Sequence, residues 1–173
     1  NFGDAFAGWA ARRMGLPMGR LVAATNRNDA LVRALETGVY ERTQAVPTAS
    51  VSMDVQAPSN FERLVFEASG RDSALTRGLF EDFVRHGQVT LSAELLAALR
   101  REVSAVSVSE AETAEEIART HAGTGRVICP HTTARRGPTF LLPQSIAKKT
   151  DSDGIPRPLL GVLGDLAVIT EES

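Results

Sequence analysis

The 173-residue sequence predicts an α/β fold, a parallel sheet flanked by helices with a helix-rich middle. Three observations carry that expectation. The first forty residues alternate between helical and extended patterns. Two short segments, 20–25 and 104–108, read as strands. Between them lie segments with helical apolar spacing and polar residues placed to cap them.

Residues 5–15 space Ala5, Phe6, Trp9, Ala10 and Met14 near a helical period, with Asp4 where an N-cap belongs and Gly15-Leu16-Pro17 as the stop. The apolar run 20–25 suits a buried parallel strand. Asn26-Arg27-Asn28-Asp29 is then a polar loop, and residues 30–37 are a helix closed by Gly38. Residues 43–58 hold two prolines and several small polar residues, which suits a long functional loop. Ser59 and Glu62 have capping-box spacing for a helix to about Ala68. Asp72 opens a helix to about His86, and residues 92–102 form another. Ser104–Val108 alternates like a strand. Ser109 and Glu112 form a second capping box for a helix to about His121, whose acidic first turn suits the helix dipole. Residues 127–129 read as a short strand or sheet edge. Residues 159–170 are apolar but broken by Gly161 and Gly164, and periodicity leaves a strand pair and a poor helix both open.

Composition narrows the function classes. Hydrophobic residues are 43% and charged residues 23%, values of a globular chain and not of a disordered one. The net charge of −2 argues against a general nucleic-acid surface, which is usually basic. No apolar run approaches the ~18 residues that span a bilayer. Cys129 is the single cysteine, so no internal disulfide can form. Of the 19 Lys and Arg residues only Lys148 and Lys149 are lysines. The chain opens on Asn1 with no signal-peptide pattern and starts directly into structured sequence, so a piece of a longer protein is expected.

Among chemistry-bearing features, Asn1-Phe2-Gly3-Asp4 leads into a helix. Such a turn exposes backbone N–H groups that, with the dipole, favour a phosphate. Far more often it is only a turn. His86 and His121 sit near helix ends, where the default role is to stabilise carbonyls. Cys129 and His131 lack a second pair at metal-ligand spacing, so no metal is expected, and a structural thiol is the default for Cys129. Walker A, HExxH and GxSxG motifs are absent.

Six strings in order resemble the threonine synthase family, pyridoxal 5′-phosphate (PLP) enzymes that make threonine from O-phosphohomoserine. Asn1-Phe2-Gly3-Asp4-Ala5-Phe6-Ala7-Gly8 resembles the family's N-F-G-D segment. Leu16-Pro17 followed by Ala24-Thr25-Asn26-Arg27-Asn28-Asp29 resembles its G-L-P and A-T-N-x-N-D strings. Leu35-Glu36-Thr37-Gly38, Thr48-Ala49-Ser50-Val51-Ser52-Met53-Asp54-Val55, Pro58-Ser59-Asn60-Phe61-Glu62-Arg63 and Pro130-His131-Thr132 continue it. The resemblance covers residues 1–132.

The resemblance implies a partial tryptophan-synthase-β-like PLP-enzyme fold and a cytoplasmic enzyme with O-phosphohomoserine as substrate, without nucleic-acid or membrane partners. It gives Asn1, Phe2, Gly3 and Asp4 the cofactor-phosphate loop. It makes Asn26, Asn28, Asp29, Ser50, Ser52, Met53 and Asp54 candidates for loops near the active cleft. Two departures stand beside it. Residues 1–147 contain no lysine for the Schiff base, and Lys148 and Lys149 lie beyond the resemblance. After Thr132 the family's T-A-H-P-A-K-F motif has no counterpart, so residues 133–173 are expected to be a divergent or frameshifted tail. The expected function is therefore that of a carboxy-terminal threonine synthase fragment, inactive alone. The alternatives are a threonine-synthase-like phospho-lyase and a non-catalytic PLP- or phosphate-binding remnant.

Overall fold

A computed structural model describes residues 1–134 and the backbone of 166–168. Arg135-Arg136, Lys148-Lys149 and most of the expected tail lie outside the described residues.

The first helix, α1 (Gly3–Arg13), starts two residues before its expected position. Its N-cap is Phe2, in the left-handed region at φ 68°, and Asp4 falls in the first turn. Burial explains the shift. The Phe2 ring is 8% exposed and meets Phe61 edge-on at 6.1 Å, so apolar packing fixes the entry of the chain. The strand β1 (Leu21–Thr25) follows, with Leu21 to Ala24 all buried. Helix α2 (Ala30–Thr37) ends at Gly38, whose φ of 80° is left-handed as expected of a glycine C-cap. A Cβ there would also crowd the Leu96 side chain, at 3.2 Å.

Strand β2 (Val39–Glu41) pairs antiparallel with β3 (Gln88–Thr90). Between them run α3 (Phe61–Ala68) and α4 (Ser73–His86). Asp72 caps α4 as expected, accepting from the amides of Ala74 and Leu75. The capping box expected at Ser59 does not form. The N-cap of α3 is Asn60, and its amide side chain donates instead to the Asn1 carbonyl at 3.2 Å. Helix α5 (Ala93–Glu102), capped by Ser92, runs directly into β4 (Val103–Ser107). Helix α6 (Glu110–Thr124) begins with the expected Ser109–Glu112 capping box. Residues 127–129 are not a strand; Cys129 is the N-cap of the short helix α7 (Pro130–Thr133), with proline at its first position.

The expected parallel pairing is between β1 and β4, in register from Leu21 opposite Val103 to Thr25 opposite Ser107. On the other side of β1 lies β5 (Leu166–Val168), which runs antiparallel. The core gathers Trp9, Leu21, Leu31, Tyr40, Phe61, Leu64, Leu99 and Val103 between the sheet and the helices. Tyr40 is 1% exposed, contacts Phe61 and Phe83 through its ring, and donates its hydroxyl to the Pro58 carbonyl at 2.9 Å. That bond satisfies the one polar atom the ring carries into the core. Trp9 Nε1 and Arg12 both donate to the Glu102 carboxylate, at 2.7 and 2.6 Å, and pin α1 to the junction of α5 and β4.

Candidate functional site

The carboxyl end of a parallel strand is where α/β sheets place ligands, because loops from neighbouring units converge there. At that end of β1 the chain turns through Asn26 and Asn28, while the start of α1 and the 46–58 segment approach from either side. Asn1, Phe2, Thr25, Asn28, Met53 and Pro58 line a narrow cleft of about 50 Å³. That is room for one or two waters, so these residues form part of a wall and not a complete ligand cavity.

One wall is the start of α1. Gly3 N–H donates to Asn1 Oδ1 at 2.9 Å, folding the Asn1 side chain over the first turn. A Cβ on Gly3 would stand 2.9 Å from that oxygen and 3.5 Å from Asn60 Nδ2. Glycine thus lets the Asn1 side chain fold close over the first turn, and a Cβ there would displace that exposed amide. The Asn1 carbonyl accepts from both the backbone and the side-chain nitrogen of Asn60, at 3.0 and 3.2 Å. Asn60 is a supporting residue that sequence reasoning did not assign to the site, although the Pro58-Ser59-Asn60 string contains it.

The opposite wall is the 46–58 segment, with a single turn of 3-10 helix at Val51–Met53. It is tied to the loop after β1 by side chains. Asn26, 2% exposed, donates through Nδ2 to Thr48 Oγ1 at 2.8 Å, Asp54 Oδ1 at 2.8 Å and Ser50 Oγ at 3.0 Å. Asn28 Nδ2 lies 3.0 Å from both Asn26 Oδ1 and Asp54 Oδ1, and 2.9 Å from the Val46 carbonyl. Thr48 donates to Asp54 twice, through its hydroxyl at 2.6 Å and its amide at 2.9 Å. Partial burial pushes the Asp54 carboxyl up, but the bonds from Thr48 and Asn26, with His131 nearby, outweigh it and hold the group below its ordinary value.

The structure thus brings Asn26, Asn28, Ser50 and Asp54 into one network and puts Met53 and Asn28 on the cleft. Asp29 stands apart from the network, its carboxylate accepting from Arg33 Nε at 2.9 Å. Ser52 is exposed and contributes its amide, which donates to His131 Nε2 at 3.2 Å. Ala49 N–H donates to Glu110 Oε2 at 2.8 Å, a second tie. Thr48, Glu110 and His131 are contributors that sequence reasoning did not place in the site. Asp54 lies 28 residues from Asn26, and no local signal pairs them.

A larger open groove of about 1140 Å³ runs between α3 and α4, with Phe6, Arg63, Phe66 and Phe80 in its lining. None of the expected site residues lines it. Among the described residues no cluster of His, Cys, Asp and Glu could hold a metal, and no helix is long and apolar enough to cross a membrane.

No protein-family model matches the chain. Individual proteins do. Threonine synthase from Pseudomonas aeruginosa is 39% identical over 132 residues, covering 76% of this chain and 28% of that protein. Human threonine synthase-like 2 is also 39% identical, over 75% of this chain and 27% of its own length. Among solved structures, PLP-bound threonine synthase from Brucella melitensis superposes with a TM-score of 0.75 at 48% identity, over 78% of this chain and 29% of that one. The chain spans less than a third of the length of these relatives. Over about three quarters of its own length, sequence and fold together make it a homologue of the threonine synthases.

Proposed function

We propose that this chain supplies the phosphate-holding helix start and one loop wall of a PLP-dependent threonine synthase, a lyase of cytoplasmic amino-acid biosynthesis. The reaction converts O-phospho-L-homoserine and water to L-threonine and phosphate. When bound, PLP supplies the electron sink that lets the γ-phosphate leave and water add at Cβ. The observation that carries the reading is the start of α1. There a glycine lies close under the Asn1 and Asn60 side chains, at a helix terminus whose Asn1, Phe2 and Ala5 line the cleft. The donor set fits the phosphate end of the cofactor. The helix terminus offers backbone amides and a favourable dipole, and Gly3 permits close approach.

Asn1, Phe2, Gly3 and Asp4 hold the phosphate end in this reading. Asn28 and Met53 face the substrate side, and Asn26, Ser50, Ser52 and Asp54 shape the wall behind them. Residues 1–147 contain no lysine, so the Schiff-base amine comes from outside them. Lys148 and Lys149 lie beyond the stretch that resembles the family and are not assigned to that role, so in this reading the 173-residue chain alone is inactive. The test is to incubate the purified chain with PLP and O-phosphohomoserine and measure threonine and phosphate. Neither product is expected, and both should form once a polypeptide carrying the remaining part of a threonine synthase is added. Threonine from the chain alone would overturn the account of the lysine.

The alternative reading is a threonine-synthase-like phospho-lyase acting on a related phospho-amino acid. Turnover of such a compound in preference to phosphohomoserine by the complemented enzyme would select it. Retained PLP binding with no turnover on complementation would select the non-catalytic remnant.

A further inference from the structure

We propose that Asn26 and Asp54 are positioning residues: they act on the cofactor site by locking the 46–58 segment into a preformed wall, and neither offers an atom to a ligand. The inference rests on the reading of the cleft as a PLP site. It follows from an account of donors and acceptors. An amide nitrogen carries two hydrogens, and Asn26 Nδ2 already has three acceptors within 3.0 Å, on Thr48, Ser50 and Asp54. Its oxygen has two lone pairs, and both face Asn28, whose backbone and side-chain nitrogens lie at 2.9 and 3.0 Å. The backbone carbonyl of Asn26 accepts from Ser107 at 2.9 Å, which ties the hub to β4. Asp54 Oδ1 accepts from Asn26, Asn28 and the Thr48 hydroxyl, while Oδ2 accepts from the Thr48 amide.

A ligand could recruit Asn26 only by breaking bonds at a site 2% exposed, and a buried polar atom left without its partner costs about 1–3 kcal/mol. The segment they hold is another matter. Met53, Val55 and Pro58 all line the cleft beside Asn1 and Phe2. Rigid support behind a binding wall removes the ordering cost that a mobile loop would impose on the ligand.

The test compares the full chain with Asn26→Ala, Asp54→Ala, their double variant and Thr48→Val. Thr48→Val removes one hydroxyl from the network without touching the cleft lining, and serves if the alanine variants do not fold. Two quantities are read: PLP affinity by fluorescence titration, and amide hydrogen exchange resolved by residue. Each single variant should weaken PLP binding about tenfold, and the double variant no further than one single, because contacting residues of one network are not additive. The amides of residues 46–58 should exchange at least tenfold faster while those of α5 keep their protection, as local opening without global unfolding requires. Multiplicative losses of affinity with unchanged exchange in 46–58 would mean direct ligand contacts and would overturn the proposal. So would unchanged affinity in all variants. If the unaltered chain fails to bind PLP, the reading of the cleft fails, and the exchange comparison alone decides whether the network holds the segment.

Discussion

Replacing Gly3 by alanine separates the fold from the site. Gly3 sits at the first position of α1, where its φ is not left-handed, so alanine meets no backbone obstacle. In a helix interior alanine is favoured over glycine by up to about 1 kcal/mol, and a first-turn position realises only part of that. Against it stands the new methyl, 2.9 Å from Asn1 Oδ1 and 3.5 Å from Asn60 Nδ2. Asn1 is exposed, so its side chain can swing away at the cost of one solvent-facing hydrogen bond, about 0.5–1 kcal/mol net. The two effects nearly cancel, and folding stability should change by less than about 1 kcal/mol, a few degrees in Tm. Binding has no such compensation. A hydrogen bond to a charged group is worth about 1.5–3 kcal/mol, so displacing the anion from one amide should weaken PLP binding at least tenfold. Thermal unfolding and a PLP titration on the same preparation read both quantities. A Gly3→Ala chain that binds PLP as tightly as the original would refute the reasoning, as would a loss of Tm large enough to account for the weaker binding.

Tyr40→Phe removes the hydroxyl that donates to Pro58, whose carbonyl keeps the Phe61 amide at 3.2 Å, for an expected loss of about 0.5–1.5 kcal/mol by denaturant unfolding. Leu99→Ala opens a cavity at a side chain with no exposure and should cost about 2–5 kcal/mol in the same assay. Because the Asp54 carboxyl is lowered in the folded state, its stabilisation is complete above the unfolded carboxyl value of about 3.9 and is lost as pH falls through the lower folded value. Stability curves of the original chain and Asp54→Asn should therefore run parallel near neutrality and converge only at acid pH; convergence above pH 5 would contradict the sign. Hydrogen bonds from Thr132, then from the backbone at the start of α7 and from His131, bring the exposed Cys129 thiol down to about 7. Its alkylation rate should therefore rise through neutral pH, and Thr132→Val should move that rise upward.

Local signals made the helices legible. Asp72, Ser92 and Ser109 each cap the helix that follows, and Gly38 closes α2 in the left-handed conformation that glycine favours. The strand at Leu21–Thr25 was legible because its first four residues are buried and apolar. The pairing of Val39–Glu41 with Gln88–Thr90 was not, since each strand is three residues long and its partner is nearly fifty residues away. Caps misled where a polar side chain had a distant use. The capping-box spacing at Ser59 does not produce a cap: the N-cap of α3 is Asn60, whose side chain turns to Asn1, 59 residues away, and not to the helix. In the site, the motif strings located the two walls but not the bonds between them. Asn, Ser, Thr and Asp in loops look alike whether solvated or locked together, and only the fold brings Asn26 to Asp54.

The central claim is that the start of α1 holds the phosphate of PLP. The direct measurement is a residue-resolved amide NMR titration of the chain with PLP, set beside pyridoxal, which lacks the phosphate. The account predicts saturable shifts at Gly3 to Phe6 and in residues 46–58 with PLP, and much weaker ones with pyridoxal. Equal responses to the two compounds, or shifts centred on the groove between α3 and α4, would contradict it.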